Sequence, residues 1–226
     1  MAITYELNGS RADVRMDDGK ANVLNPDSLA ELARVQQRAI DDGAGVLVLR
    51  GNDKMFSAGI DLKALGGDFD AAGELLTTVG QSLLDFWTVP LPTLAAIEGH
   101  ALAGGLLLAL ACDTRIASDK PAKIGLNETA NGMLLPTWAI TIAQATIKRE
   151  FWTAALLNAH IGGPDWALES GVVDEIVAQD ALEARVDELA DEAAALPTGT
   201  YAALKRRMRA ADYERAYLLA GKDGTA

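Results

Sequence analysis

Apolar and polar residues alternate with period two over residues 2–7 (AITYEL) and again over 12–16. The pattern predicts two strands joined at Asn8-Gly9-Ser10, a composition suited to a hairpin turn. Asp17-Asp18-Gly19-Lys20 predicts the next turn. Asn25-Pro26-Asp27-Ser28 then announces a helix, with proline in its first turn and an acid near its positive end. Leu29, Leu32, Gln36 and Ile40 recur at helical spacing until Asp41-Asp42-Gly43 stops the run. Residues 45–49 (GVLVL) are continuously apolar, as a strand buried on both faces requires. A glycine-rich polar segment around Gly66-Gly67-Asp68 reads as a mobile loop. A helical pattern over 71–87 is stopped by Pro90 and Pro92, and a second buried strand follows over 93–97. Beyond residue 128 the pattern is mostly helical. It covers 137–147 and 149–158 about a charged break, 164–170 closed by Gly171, and two amphipathic helices over 181–196 and 200–219 split by Pro197, with a last strand over 172–177. Alternating strands and helices, then helices alone, predict an α/β domain with a helical C-terminal part.

Composition narrows the function classes. The 226 residues are enough for one sizeable domain, and half of them are hydrophobic. Twenty basic against 32 acidic residues leave a net charge of −12, which argues against nucleic acid or an anionic membrane as partner. The one cysteine, Cys112, excludes an intramolecular disulfide; before Asp113 in an apolar run it reads as a small buried filler. The start, MAITYELNGS, reads as a strand and not as a signal, and the apolar run 102–112 is about half a membrane span. A cytoplasmic location is the expectation.

Two glycine turns carry the candidate chemistry: Ser57-Ala58-Gly59-Ile60 and Ala103-Gly104-Gly105, about 45 residues apart and each behind an apolar strand. Small residues there let the backbone approach a ligand, and an element that starts after the turn offers unpaired N–H groups. Two such donors on one oxygen are the minimum for stabilising an enolate or a tetrahedral intermediate, at about 3 kcal/mol each. A lone acid, Glu128, closes the segment that the second turn opens.

FSAGIDL at 56–62 and GHALAGGLLLALACDTRIA at 99–117 resemble the two signature segments of the crotonase (enoyl-CoA hydratase/isomerase) superfamily. IGLNE at 124–128 and ALESGVVDEIV at 167–177 extend the resemblance over residues 5 to 180, in the family's order. The resemblance implies a crotonase-like spiral of ββα units, with a core domain over 1–180. Residues 181–226 would be C-terminal helices that cover the pocket and join a homotrimer or hexamer, although the C-terminus is short for the family. It implies an acyl-CoA thioester substrate, with coenzyme A part of the substrate and no separate cofactor. The N–H groups of Ile60 and Gly104 would form the oxyanion hole. Ala58, Gly59, Ile60, Asp61 and Leu62 would line the path of the CoA moiety, and Gly104, Gly105, Leu107 and Met133 the acyl end.

The family can place glutamates at two positions, and this chain keeps one. Three residues after Gly104 stands Leu107; the second position holds Glu128. Hydration needs a water held and deprotonated, usually between two carboxylates, whereas moving a double bond from 3,4 to 2,3 needs one base that takes a proton from C2 and returns it to C4. The leucine, the string IGLNET at 124–129 and Leu135-Pro136-Thr137-Trp138 are similar to the mitochondrial-type Δ3,Δ2-enoyl-CoA isomerase branch. Isomerisation of 3-enoyl-CoA with Glu128 as base and acid is therefore the expected activity. Hydratase, decarboxylase, thioester hydrolase and a non-catalytic acyl-CoA binder stay as alternatives.

Other residues fit blander roles. His100 and His160 lack the spacing of a metal pair, so no metal site is expected. Ser57 with His100 lacks the G-x-S-x-G setting of a hydrolase nucleophile. Lys205, Arg206, Arg207 and Arg209 form a basic cluster on the last helix, readable as salt bridges and a solvated face or as contacts to CoA phosphates.

Overall fold

The computed structural model describes residues 3–60 and 69–222, with side chains of the second block from residue 73 onward. The expectations at Asp61, Leu62 and Gly66-Gly67-Asp68 lie outside the described residues. In chain order the elements are β1 (Ile3–Asn8), β2 (Arg11–Met16), β3 (Val23–Leu24), α1 (Pro26–Asp41), β4 (Val46–Arg50), β5 (Met55–Ser57), β6 (Gly59–Ile60), α2 (Phe69–Trp87), β7 (Thr93–Ile97), β8 (His100–Leu102), α3 (Gly104–Leu110), β9 (Thr114–Ser118), β10 (Ile124–Gly125), α4 (Thr137–Gln144), β11 (Ile161–Gly162), α5 (Pro164–Glu169), β12 (Glu175–Val177), α6 (Leu182–Ala194) and α7 (Thr198–Ala220).

Three sheets organise them. The largest has the order β1-β2-β4-β7-β9-β12, antiparallel only at the β1–β2 hairpin. A second has the order β11-β10-β8-β5, and a two-stranded one pairs β3 with β6. The continuously apolar β4 is explained by helices on both faces of the large sheet. Leu47 and Leu49 join the main core, while Val46 and Val48 meet Leu182, Val186 and Ala190 of α6. Each such side chain contributes roughly 1.5–3 kcal/mol on burial, so both faces are needed to hold the sheet.

The start of α1 follows its sequence signal: Asn25 caps it, its side chain accepting from the Ser28 N–H while Ser28 Oγ accepts from the Asn25 N–H. Two regions depart from the expected elements. Residues 149–158 form a 3₁₀ turn and a π-helical turn instead of a helix. The expected strand over 172–177 is only Glu175–Val177; Val172 and Val173 are buried in the preceding turn. Helix α7 is not amphipathic. Lys205, Ala216 and Ala220 are its buried residues, and Leu204, Met208 and Leu218 stand exposed. Among the described residues no helix is long and apolar enough to cross a membrane.

Candidate active site

The small second sheet brings the sequence motifs together. Strand β5 runs parallel to β8, with Met55 opposite His100 and Ser57 opposite Ala101. Strand β10 runs parallel to β8 on the other side, with Gly125 opposite Leu102. Three parallel strands in one register must end at one edge. Residues 58–60, 103–105 and 126–128 therefore leave the sheet together, at the carboxyl ends where open parallel sheets hold ligands.

At that edge the two glycine turns are in direct contact. Gly59 has φ +90, and a Cβ added to it would lie 2.8 Å from the Gly104 nitrogen and 3.0 Å from the Ala103 Cβ. A Cβ on Gly104 would lie 3.2 Å from Ile60 Cγ1 and 3.5 Å from the Ile60 nitrogen. Gly105 packs so closely on Ser57 that a Cβ would sit 2.2 Å from the Ser57 carbonyl oxygen. Glycine at these places is what allows the two segments to meet. Gly104 is the first residue of α3, so its N–H has no acceptor within the helix. The expectation of a helix start after both turns holds only for this one. After the first turn comes β6, which pairs with β3, so Ile60 is a strand residue. Ala58 donates its N–H to the Ala21 carbonyl at 2.9 Å.

Glu128 opens the 3₁₀ turn Thr129–Asn131, which ends at Gly132 in the left-handed region. Its carbonyl accepts from the Asn131 and Met133 N–H groups at 2.9 Å, which fixes the half-buried Met133 beside it. The residue is buried, and its Oε2 has no hydrogen-bond partner. Burial raises its pKa above the ordinary 4.5, partly offset by the backbone N–H groups of Glu128 and Asn127. Leu107, in the first turn of α3, is fully buried.

The remaining candidates have other work. Ser57 Oγ donates to the Asn22 carbonyl at 2.7 Å and accepts the Gly59 N–H at 3.1 Å. His100 Nδ1 accepts from the Lys123 N–H at 2.8 Å, at the opposite end of its strand from Gly104. His160 lies against the Trp166 ring. Cys112 is buried and its thiol pKa is pushed up to about 12, chiefly by desolvation, so it is not a nucleophile. Of the basic cluster, Lys205 and Arg209 hold Asp113 at 2.8 and 2.9 Å, and Lys205 also donates to the Leu91 carbonyl at 3.0 Å. Arg206 and Arg207 are exposed. The sequence pattern did not single out Asn22. It is fully buried at φ 49 and donates to the Met16, Met55 and Phe56 carbonyls, which fixes the strand that delivers Ser57 and Gly59. No pattern in a turn of polar residues marks it; only the fold puts those three carbonyls around it.

A separate cleft of about 350 Å³ opens on the α6 face of the large sheet, among Leu94, Leu189, Leu196 and Tyr201. None of the residues at the strand edge lines it.

A family model described as enoyl-CoA hydratase/isomerase matches residues 6–219. The mitochondrial enoyl-CoA delta isomerase 1 of Mus musculus is 31% identical over 204 residues, 88% of this chain and 71% of that protein. The (E)-benzylidenesuccinyl-CoA hydratase of Thauera aromatica is 32% identical over 185 residues, 80% of this chain and 72% of its own length. A crystal structure of an enoyl-CoA hydratase/isomerase family protein from Pseudomonas syringae superposes with a TM-score of 0.94 at 25% identity. It covers 98% of this chain and 96% of that one. With its strand order, its paired glycine turns and a match over nearly its whole length, this chain belongs to the enoyl-CoA hydratase/isomerase family and has the crotonase fold.

Proposed function

We propose that this member of the family isomerises 3-enoyl-CoA to trans-2-enoyl-CoA, with Glu128 as the single base and acid. The observation that carries the reading is that Leu107 is buried where the family can place an acid, while Glu128 is buried with an Oε2 that has no hydrogen-bond partner. A leucine three residues past Gly104 can neither hold a water nor deprotonate one. A carboxylate whose pKa is raised by burial suits a proton that must be taken from carbon and given back.

The steps balance without a co-reactant. The thioester carbonyl lies between the Ile60 and Gly104 N–H groups, and Glu128 takes the C2 proton. The C2–H electron pair moves into the dienolate, whose oxygen those two amides stabilise. The now neutral Glu128 returns the proton to C4, and the double bond ends between C2 and C3. Leu106, Leu107 and Met133 keep water from the alkene. Ala58 and Gly59 border the CoA path.

A hydratase is the second reading, since a relative of that activity is as similar as the isomerase. Conjugated-thioester absorbance separates them. A rise with 3-enoyl-CoA and no loss with 2-enoyl-CoA is expected. Loss with the second substrate means hydration, and no change with either favours a binder. Glu128→Gln should reduce the rise at least 10³-fold; an unchanged rate would remove Glu128 as the base.

A further inference from the structure

Among the described residues three non-glycine positions have positive φ: Asn22, Ala103 and Ala159. Ala103 is at φ 51, ψ −133, in a region that glycine occupies freely and a Cβ disfavours. It sits where the three site segments meet. Its N–H donates to the Gly125 carbonyl at 3.0 Å, on the strand that leads to Glu128. Its carbonyl accepts from the Leu107 N–H at 3.1 Å, closing the first turn of α3. Its methyl group faces Gly59, so close that a Cβ there would lie 3.0 Å from it.

We propose that Ala103 is a positioning residue: its methyl wedges the two glycine turns at one spacing and ties that spacing to the strand carrying Glu128. This rests on the proposed oxyanion role of Ile60 and Gly104. The surrounding bonds hold the backbone in its strained form, and the methyl is what would be lost on substitution by glycine. Glycine would adopt the same φ and ψ without strain but also many others, and it would leave a gap beside Gly59. Stability and turnover then move in opposite directions, which a residue of purely structural value would not cause.

The test is Ala103→Gly beside Ala103→Ser, which keeps the Cβ. Two activities are read: isomerisation of 3-enoyl-CoA, and exchange of the C2 protons of butyryl-CoA in D₂O by NMR. The exchange needs only the base and the oxyanion donors. Ala103→Gly is expected to raise Tm by about 2–4 °C. It should slow exchange roughly tenfold or more at unchanged KM, because the donors act in the transition state. Ala103→Ser should match the parent in exchange. Exchange without isomerisation in the parent would sink the isomerase reading and leave this proposal standing. An Ala103→Gly variant with parental exchange, or with a lowered Tm, would overturn it, as would a parent that exchanges no C2 proton.

Discussion

At the scale of single residues, Gly59 and Glu128 carry opposite kinds of constraint. Gly59 is limited by space: a methyl there would lie 2.8 Å from the nitrogen of Gly104, on a backbone at φ +90. Gly59→Ala should therefore obstruct the Gly104 N–H, one of the two proposed oxyanion donors, and lower kcat by about 10²–10³, with steady-state kinetics as the check. Glu128 is limited by charge. Its folded-state pKa is above the ordinary 4.5 because burial disfavours the carboxylate. Above pH 4.5 the unfolded chain loses this proton first, so the folded state binds more protons and stability falls as pH rises toward the raised value. Glu128→Gln removes that dependence. Its Tm advantage over the parent should be least at pH 4, grow through that window and then level off, which thermal melts across pH would reveal. The same raised pKa should place the acid limb of kcat/KM above 4.5. A limb at or below that value would argue against Glu128 as the base.

At the scale of elements, the terminal helix anchors the helix that begins at Gly104. Asp113 lies just beyond α3, and its carboxylate accepts from Lys205 and Arg209 of α7 and from the Thr93 N–H and hydroxyl. Arg209 also donates to the Trp87 carbonyl at the end of α2 and lies over the Trp87 ring. Lys205 is 5% exposed, and burial lowers its pKa against the pull of Asp113. Asp113→Ala would leave that ammonium buried without its carboxylate. A loss of about 3–5 kcal/mol is expected, which is roughly 10 °C in Tm. Arg206→Ala and Arg207→Ala, at exposed positions, should stay within about 0.5 kcal/mol. The run of basic residues in the sequence did not separate these two groups, because helical spacing alone does not say which side of α7 faces the protein.

At the scale of the whole molecule, α7 leaves three large apolar side chains exposed. Leu204 is 58% exposed, and Met208 and Leu218 are each 73% exposed. Their spacing puts them along one side of the helix, which also carries the exposed Arg215. Several large apolar side chains exposed together on one helix mark a surface suited to a partner. We propose that a second copy covers this side, consistent with the trimer or hexamer that the family resemblance implies. Light scattering at micromolar concentration should give a multiple of the monomer mass, and Leu204→Asp with Met208→Asp should reduce it. A monomeric parent would remove the proposal.

Much of this protein was determined by local chemistry that can be read along the chain. The hairpin at residues 8–10, the cap at Asn25 and the buried strands over β4 and β7 follow from period, turn composition and continuous apolar runs. The glycines at 59, 104 and 105 and the acid at 128 were legible as motifs, and the absence of an acid at Leu107 was legible as well. Only the tertiary structure decided where those motifs meet, since the parallel register of β5, β8 and β10 joins residues up to about 70 positions apart. It alone placed Asn22 under the first turn, strained Ala103 against Gly59, and buried Glu128 enough to raise its pKa. Long-range pairing and burial depend on every element at once, whereas a turn or a cap depends on its neighbours in sequence.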